Sequence, residues 1–287
     1  MSEWPGCFLS SRAIFAFRRF LALPGPRPLL AHHPSMPPTF PPPTNSLIHP
    51  SAHAPRAPRY AVVVAGGSGL RMGADRPKQF LLLRGEPVLL HTLRRFADPT
   101  LGVAELVLVL PADQVQYWQE LAAQYPGVPA HRVVVGGATR WASVKAGLAA
   151  LPAAPPIGAL VAVHDGVRPL VPLGVIEATY QGAAQHRAVA AAVPPKDTVR
   201  MVAATGSSPL DRRRLRLMQT PQTFDLDLLR EAYRLPELPT FTDDASVVDD
   251  LCPVQLVAGD YRNLKITTPE DLLLAEALTA DVAGPQI

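Results

Sequence analysis

Arg71 and Lys78 stand seven residues apart, at and just beyond the end of the glycine-rich run Ala65-Gly66-Gly67-Ser68-Gly69-Leu70-Arg71. Glycines let backbone N–H groups close around phosphate oxygens, because they carry no side chain to hold a ligand off and they accept positive φ. Two cations beside such a loop can clamp a triphosphate and offset the charge that develops at an attacked phosphorus and on a leaving pyrophosphate. The chemistry this pattern points to is nucleotidyl transfer. A dinucleotide-binding loop needs Gly-x-Gly-x-x-Gly, but counting from Gly67 and Gly69 the third position is Met72, with Gly73 one residue late. That speaks against a dinucleotide-dependent oxidoreductase. A Walker loop needs Gly-Lys-Ser/Thr, and the segment has none.

The elements that must position this loop follow an α/β rhythm. Residues 60–65 form an apolar run without alternation, as expected of a strand buried on both faces. Similar runs at 105–110, 132–135, 159–164 and 189–193 alternate with helical patterns at 88–96, 112–124, 139–151 and 173–185. In the third helix Val144, Leu148 and Leu151 share a face, and Thr139 is placed to cap the first turn. The expectation is an α/β fold with a doubly wound, mostly parallel sheet, the loop sitting at the carboxyl end of the first strand, where such sheets bind ligands. Between 196 and 224 the rhythm breaks at Gly206-Ser207-Ser208-Pro209, which predicts a protruding β-hairpin arm at about 195–222. A helix at 226–233, strands at 254–258 and 264–267 and a helix at 269–278 complete the pattern.

Composition separates the ends from the middle. The 287 residues, 48% hydrophobic and 18% charged, suffice for one core, placed at 59–280 with a short tail at 281–287. The first 59 residues hold 13 of the 33 prolines, six arginines, no lysine and one acid, Glu3, so 1–58 reads as a disordered extension. The +5 of residues 1–59 exceeds the +3 of the whole chain and leaves −2 for 60–287, so the basic balance belongs to the extension and no nucleic-acid surface is expected on the domain. The apolar stretch 13–23 is broken by Arg18 and Arg19 and is too short to span a membrane. Cys7 and Cys252 offer neither a disulfide framework nor a metal pair, which fits a reducing, cytoplasmic setting. A start codon placed too far upstream in a GC-rich gene is the preferred account of the extension. A transit peptide is the alternative, and it would place the protein in a plastid.

Further motifs follow in order: Gly136-Gly137-Ala138-Thr139-Arg140-Trp141-Ala142-Ser143-Val144, His164-Asp165-Gly166-Val167-Arg168-Pro169, Lys196-Asp197-Thr198, Thr220-Pro221-Gln222, Thr242-Asp243-Asp244-Ala245-Ser246 and Asn263-Leu264-Lys265-Ile266-Thr267. With the Pro77-Lys78-Gln79 loop, this series resembles the 2-C-methyl-D-erythritol 4-phosphate cytidylyltransferases of the non-mevalonate isoprenoid pathway, across 60–278. The resemblance implies a Rossmann-like nucleotidyltransferase fold. It also implies in-line attack of a polyol phosphate on the α-phosphorus of CTP, with Mg²⁺ bridging triphosphate oxygens and no protein nucleophile.

By motif position the resemblance makes Arg71 and Lys78 the cations of the transition state, and Lys265 and Arg212 the holders of the substrate phosphate. Ala65, Gly66, Gly67, Gly69, Gly137, Ser143 and Gly166 fall where the nucleotide binds; Asp165, Arg168, Thr198 and Thr242 fall where the polyol phosphate binds. Asp165, ending a buried strand, suits a polyol hydroxyl or the metal, which is otherwise held through CTP phosphates. The arm carrying Thr198 and Arg212 would reach a partner subunit's site, so a homodimer is expected. Gly166-Val167 departs from the Ala-Ala often found there in the family. His91, His164 and Trp141 read as packing residues. The rivals are a cytidylyltransferase for ribitol 5-phosphate or another polyol phosphate, and a non-catalytic nucleotide-binding protein. Retention of Arg71, Lys78, Asp165 and Lys265 together argues against the second.

Overall fold

The computed structural model describes residues 57–66 and 76–280, all within the unit Ala54–Ile287. The expectations for 1–56, for Gly67, Gly69 and Arg71, and for 281–287 therefore lie outside the described residues. In chain order the elements are β1 (Arg59–Val64), β2 (Leu82–Leu83), β3 (Glu86–Pro87), α1 (Val88–Phe96), β4 (Val103–Leu110), α2 (Ala112–Ala122), β5 (Arg132–Val135), α3 (Arg140–Ala150) and β6 (Leu160–Asp165). They continue with α4 (Leu173–His186), β7 (Ala188–Val193), β8 (Arg200–Ala203), β9 (Gly206–Pro209), β10 (Leu217–Asp225), α5 (Leu226–Ala232), α6 (Asp244–Val248), β11 (Gln255–Ala258) and α7 (Pro269–Ala280).

Seven strands form the central sheet in the order β11-β7-β10-β6-β1-β4-β5. Every neighbour pair is parallel except those of β10, which runs antiparallel to both β6 and β7. The unalternating run of β1 is explained by the layers on both sides. Ala61 and Val63 face a core closed by α1, α2 and α4 through Leu93, Trp118 and Tyr180. Tyr60, Val62 and Val64 face a second core closed by α3 and α5 through Val144, Leu148 and Leu229. Fully burying each such aliphatic side chain contributes about 1.5–3 kcal/mol, and both faces of β1 collect it. Thr139 caps α3 as its sequence suggests, its hydroxyl accepting from Ala142 N at 3.0 Å.

Three features differ from the sequence pattern. The segment 264–267 has no regular structure and joins no sheet; its one backbone–backbone bond is Ile266 N to Val167 O at 2.9 Å, and its alternation serves a small third core in which Ile266 is buried with Leu264 beside it. The returning limb of the excursion, β10, belongs to the central sheet, with Leu217 opposite Val193 and Gln222 opposite Val163; the separate hairpin is β8–β9. The short α6 had no periodicity to announce it, but it carries a capping box in which Asp243 and Ser246 each bond the other's backbone N–H.

Candidate active site

β6 carries Asp165 to the carboxyl edge of the sheet, next to the end of β1 where Ala65 and Gly66 begin the glycine-rich loop. The Asp165 side chain is almost wholly buried, and three cations converge on it. Lys265 Nζ lies 2.9 Å from Oδ2, Arg168 Nε 3.5 Å from the same oxygen, and Arg140 Nε 3.5 Å from Oδ1. Burial pushes the Asp165 carboxyl up, but Arg140, Lys265 and Arg168 together outweigh it and hold the group well below the usual carboxylate range. Asp165 is therefore an ionised acceptor at neutral pH and has no proton to give.

Each cation is fixed by a different part of the chain. Lys265 is presented by the 264–267 segment: its neighbours Leu264 and Ile266 pack into the third core, while Lys265 lines the cavity. Arg168 donates from Nη1 to the Asn263 carbonyl at 2.7 Å, and burial lowers its pKa despite Asp165. Arg140, the first residue of α3, pairs through Nη2 with Asp244 Oδ2 at 2.6 Å. Burial would lower the Arg140 pKa, but Asp244 and Asp165 raise it overall, so its charge is secure. The backbone of Asp165 is pinned as well, its N–H donating to Thr220 Oγ1 of β10 at 3.1 Å.

Two adjoining cavities, of about 110 and 250 Å³, share Arg140, Asp165 and Lys265. The first is walled by Ala65, Gly66, Lys78, Gln79 and Ser143, the second by Arg168, Thr220, Gln222, Thr242 and Asp243. Among the described residues four cations and two carboxylates line them, a balance suited to a polyanionic ligand.

The structure thus gathers Ala65, Gly66, Lys78, Ser143, Asp165 and Lys265 around one cavity and Arg168 and Thr242 around the other. Gly137 and Gly166 flank the site without lining it. Gly137 accepts from Ser143 Oγ at 3.3 Å, and a Cβ on it would collide with Ala142. At Gly166 a Cβ would stand 2.8 Å from that of Ala65 and 3.1 Å from Leu89, so glycine there is a steric fit and the departure from alanine has a reason. Thr198 and Arg212 are not brought into these cavities: Arg212 is exposed and donates to the Lys196 carbonyl at 2.8 Å. The packing readings of three other residues agree with their surroundings. His164 is fully buried beside Phe96, His91 bonds Leu83 O at 2.8 Å, and Trp141 stacks on Tyr233.

Sequence reasoning assigned no role to Arg140, Gln79, Gln222 or Asp244, although all stand in the quoted motifs. An arginine opening a helix beside the glycines at 136–137, and adjacent acids at 243–244, were the available signals. No group of three or more His, Cys, Asp or Glu side chains gathers as a metal cage among the described residues. Asp165, one carboxylate already countered by three cations, fits a divalent ion carried mainly by ligand phosphates.

The family model described as 2-C-methyl-D-erythritol 4-phosphate cytidylyltransferase (IspD) matches residues 60–281. A curated relative of that name from Porphyromonas gingivalis is 53% identical over 222 residues, covering 77% of this chain and 97% of the relative. Another, from Bacteroides thetaiotaomicron, is 46% identical over 218 residues, with 76% and 97% covered. Among solved structures, 4-diphosphocytidyl-2C-methyl-D-erythritol synthase from Anaerococcus prevotii superposes with a TM-score of 0.66 at 31% identity, covering 78% of this chain and 96% of that one. The 2-C-methyl-D-erythritol 4-phosphate cytidylyltransferase from Thermus thermophilus gives 0.59 at 34%, covering 76% and 98%. Fold, ordered motifs and relatives agree, and the chain belongs to the 2-C-methyl-D-erythritol 4-phosphate cytidylyltransferase family.

Proposed function

We propose that the protein transfers CMP from CTP to 2-C-methyl-D-erythritol 4-phosphate, giving 4-diphosphocytidyl-2-C-methyl-D-erythritol and pyrophosphate for isoprenoid precursor synthesis. The observation that carries this reading is the cluster of Lys265, Arg168 and Arg140 around Asp165, where two cavities meet beside Lys78. Family membership supports the same substrates.

In this reading the nucleotide takes the Ala65–Lys78 side, with Ser143 and the 136–137 and 166 backbone around the base and ribose. The acceptor takes the Arg168–Thr242 side. Lys265 holds the acceptor phosphate so that one of its oxygens faces the α-phosphorus of CTP. A P–O bond forms there as the bond to the β-phosphate oxygen breaks in line, and pyrophosphate departs with its charge met by Lys78 and Arg71. Asp165 accepts a hydroxyl of the polyol. When Mg²⁺ or another divalent cation is bound it supplies charge neutralisation across the phosphates, with Asp165 as the carboxylate placed to reach it. Thr198 and Arg212 serve the site of a second copy, and a homodimer joined through the arm is supported by Met201, Val202 and Leu217 standing exposed along it. No helix among the described residues is long and apolar enough to cross a membrane. The bacterial relatives support a cytoplasmic enzyme.

The test is pyrophosphate release with CTP and Mg²⁺, comparing methylerythritol phosphate with ribitol 5-phosphate and CTP with ATP. Release with CTP and methylerythritol phosphate alone is expected. Release with ribitol 5-phosphate instead would keep the mechanism and reassign the acceptor, and no release with any pair would leave a nucleotide-binding protein without catalysis.

A further inference from the structure

Gln79 is fully buried at the wall of the first cavity, and nothing in the mechanism above uses it. Its Nε2 donates to the Ala65 carbonyl at 2.9 Å and also to Oε1 of Gln114, in the first turn of α2. One amide nitrogen is thus held by acceptors on two separate elements. Its Oε1, equally buried, has no hydrogen-bond partner among the described residues. Burying an amide with half its capacity unmet is costly, and an apolar side chain of similar shape would avoid the cost, so packing alone does not account for a glutamine here. The bond to Ala65 also joins the two ends of the glycine-rich loop, since Gln79 follows Lys78 directly in a short 3₁₀ turn.

Resting on the reading of this cavity as the nucleotide site, we propose that Gln79, braced by Gln114, is a positioning residue for base selection. Its N–H takes one lone pair of the Ala65 carbonyl and leaves the other to face a ligand in the cavity that Ala65 lines. A carbonyl fixed in that direction accepts from an exocyclic amine, which cytosine presents at C4. Uracil presents an oxygen at the same place, setting two acceptors against each other. Gln114 contributes only its oxygen to this arrangement. An amide nitrogen at 79 is therefore required, whereas any acceptor at 114 suffices.

The experiment compares kcat/KM for CTP and for UTP, at saturating acceptor, in the wild type, Gln79→Glu, Gln114→Leu and Gln114→Glu, with thermal unfolding to confirm that each variant folds. Gln79→Glu keeps the shape and loses the donor, so the CTP-over-UTP ratio should fall by roughly tenfold or more, mainly through a raised KM for CTP. Gln114→Leu should lower the ratio by about threefold through loss of the brace, and it decides the matter if Gln79→Glu does not fold. Gln114→Glu retains an acceptor at a helix N-terminus that tolerates negative charge, and its ratio should stay within about twofold of wild type. If the variants of a discriminating wild type slow CTP and UTP equally, Gln79 acts only through Lys78 or the fold and the proposal is overturned. A wild type that is active yet indifferent to CTP and UTP would overturn the nucleotide-site reading together with the proposal.

Discussion

Asp244 Oδ2 meets Arg140 Nη2 at 2.6 Å while Tyr233 donates its hydroxyl to Asp244 Oδ1 at the same distance, so a carboxylate without solvent exposure holds one of the three cations that surround Asp165. The pair ties α6 and α5 to the first residue of α3. Burial, then Asp244 itself, raises the Tyr233 pKa, which keeps that hydroxyl a donor throughout the working pH range.

Removing one partner of a buried pair strands the other charge. Asp244→Ala should destabilise the domain by about 3 kcal/mol, the lower end of the usual range because Arg140 keeps some exposure to water. A urea melt reads this directly, and an unchanged midpoint would show that water solvates Arg140 as well as Asp244 does.

Lys78→Ala should lower kcat by roughly 10²-fold or more with little change in melting temperature, since the side chain is assigned to charge that grows toward the transition state. Lys265→Ala should act instead on the acceptor, raising its KM by about ten- to a hundredfold, the value of a charge-assisted bond to phosphate. Equal effects of both variants on both parameters would merge the two roles.

Arg212 and Lys265 are assigned to one site built from two chains. With acceptor well below KM, Arg212→Ala and Lys265→Ala should each lose most of their activity when assayed alone. When co-refolded in equal amounts they should recover up to about a quarter of wild-type activity, because each heterodimer then carries one intact site. No recovery, with dimers present by light scattering, would place Arg212 outside the partner's site.

His164 is neutral and buried, its pKa pushed down to about 3 from an ordinary 6.5 by burial. The unfolded chain therefore takes up the proton first. Stability should be flat above pH 6.5 and fall by up to about 1.4 kcal/mol per pH unit as pH drops from there toward 3. The contribution of Asp165, whose folded pKa is depressed, is complete above about pH 3.9 and is lost only as pH falls below that. The interval from 6.5 to 4 thus separates the histidine from Asp165. His164→Gln should flatten it, and a slope that survives the substitution would belong to another group.

The strands and helices closest to the site were legible because their burial is two-sided: an unbroken run such as that of β1 has few other places to go. Asp165 and Arg168 were legible through one motif, 164–169, and Lys265 through another, 263–267. Arg140 and Asp244 were not, since their importance lies in a contact across 104 residues that neither motif contains. The strand expected at 264–267 failed for a related reason. Period-two alternation reports that Leu264 and Ile266 are buried and Lys265 is not, and says nothing about whether a neighbouring strand exists to pair with.

β10 enters the sheet against the direction of both neighbours, and its position divides the site by ancestry of contact. Everything that touches the first cavity alone comes from β1, its loop and α3, or from the turn after β6; the second cavity draws on β10 and the 242–243 turn. Substitutions confined to Met218 or Thr242 can therefore alter the shape of the second cavity without touching a residue of the first. Drift toward a different sugar phosphate has a route open to it that drift toward a different nucleotide does not.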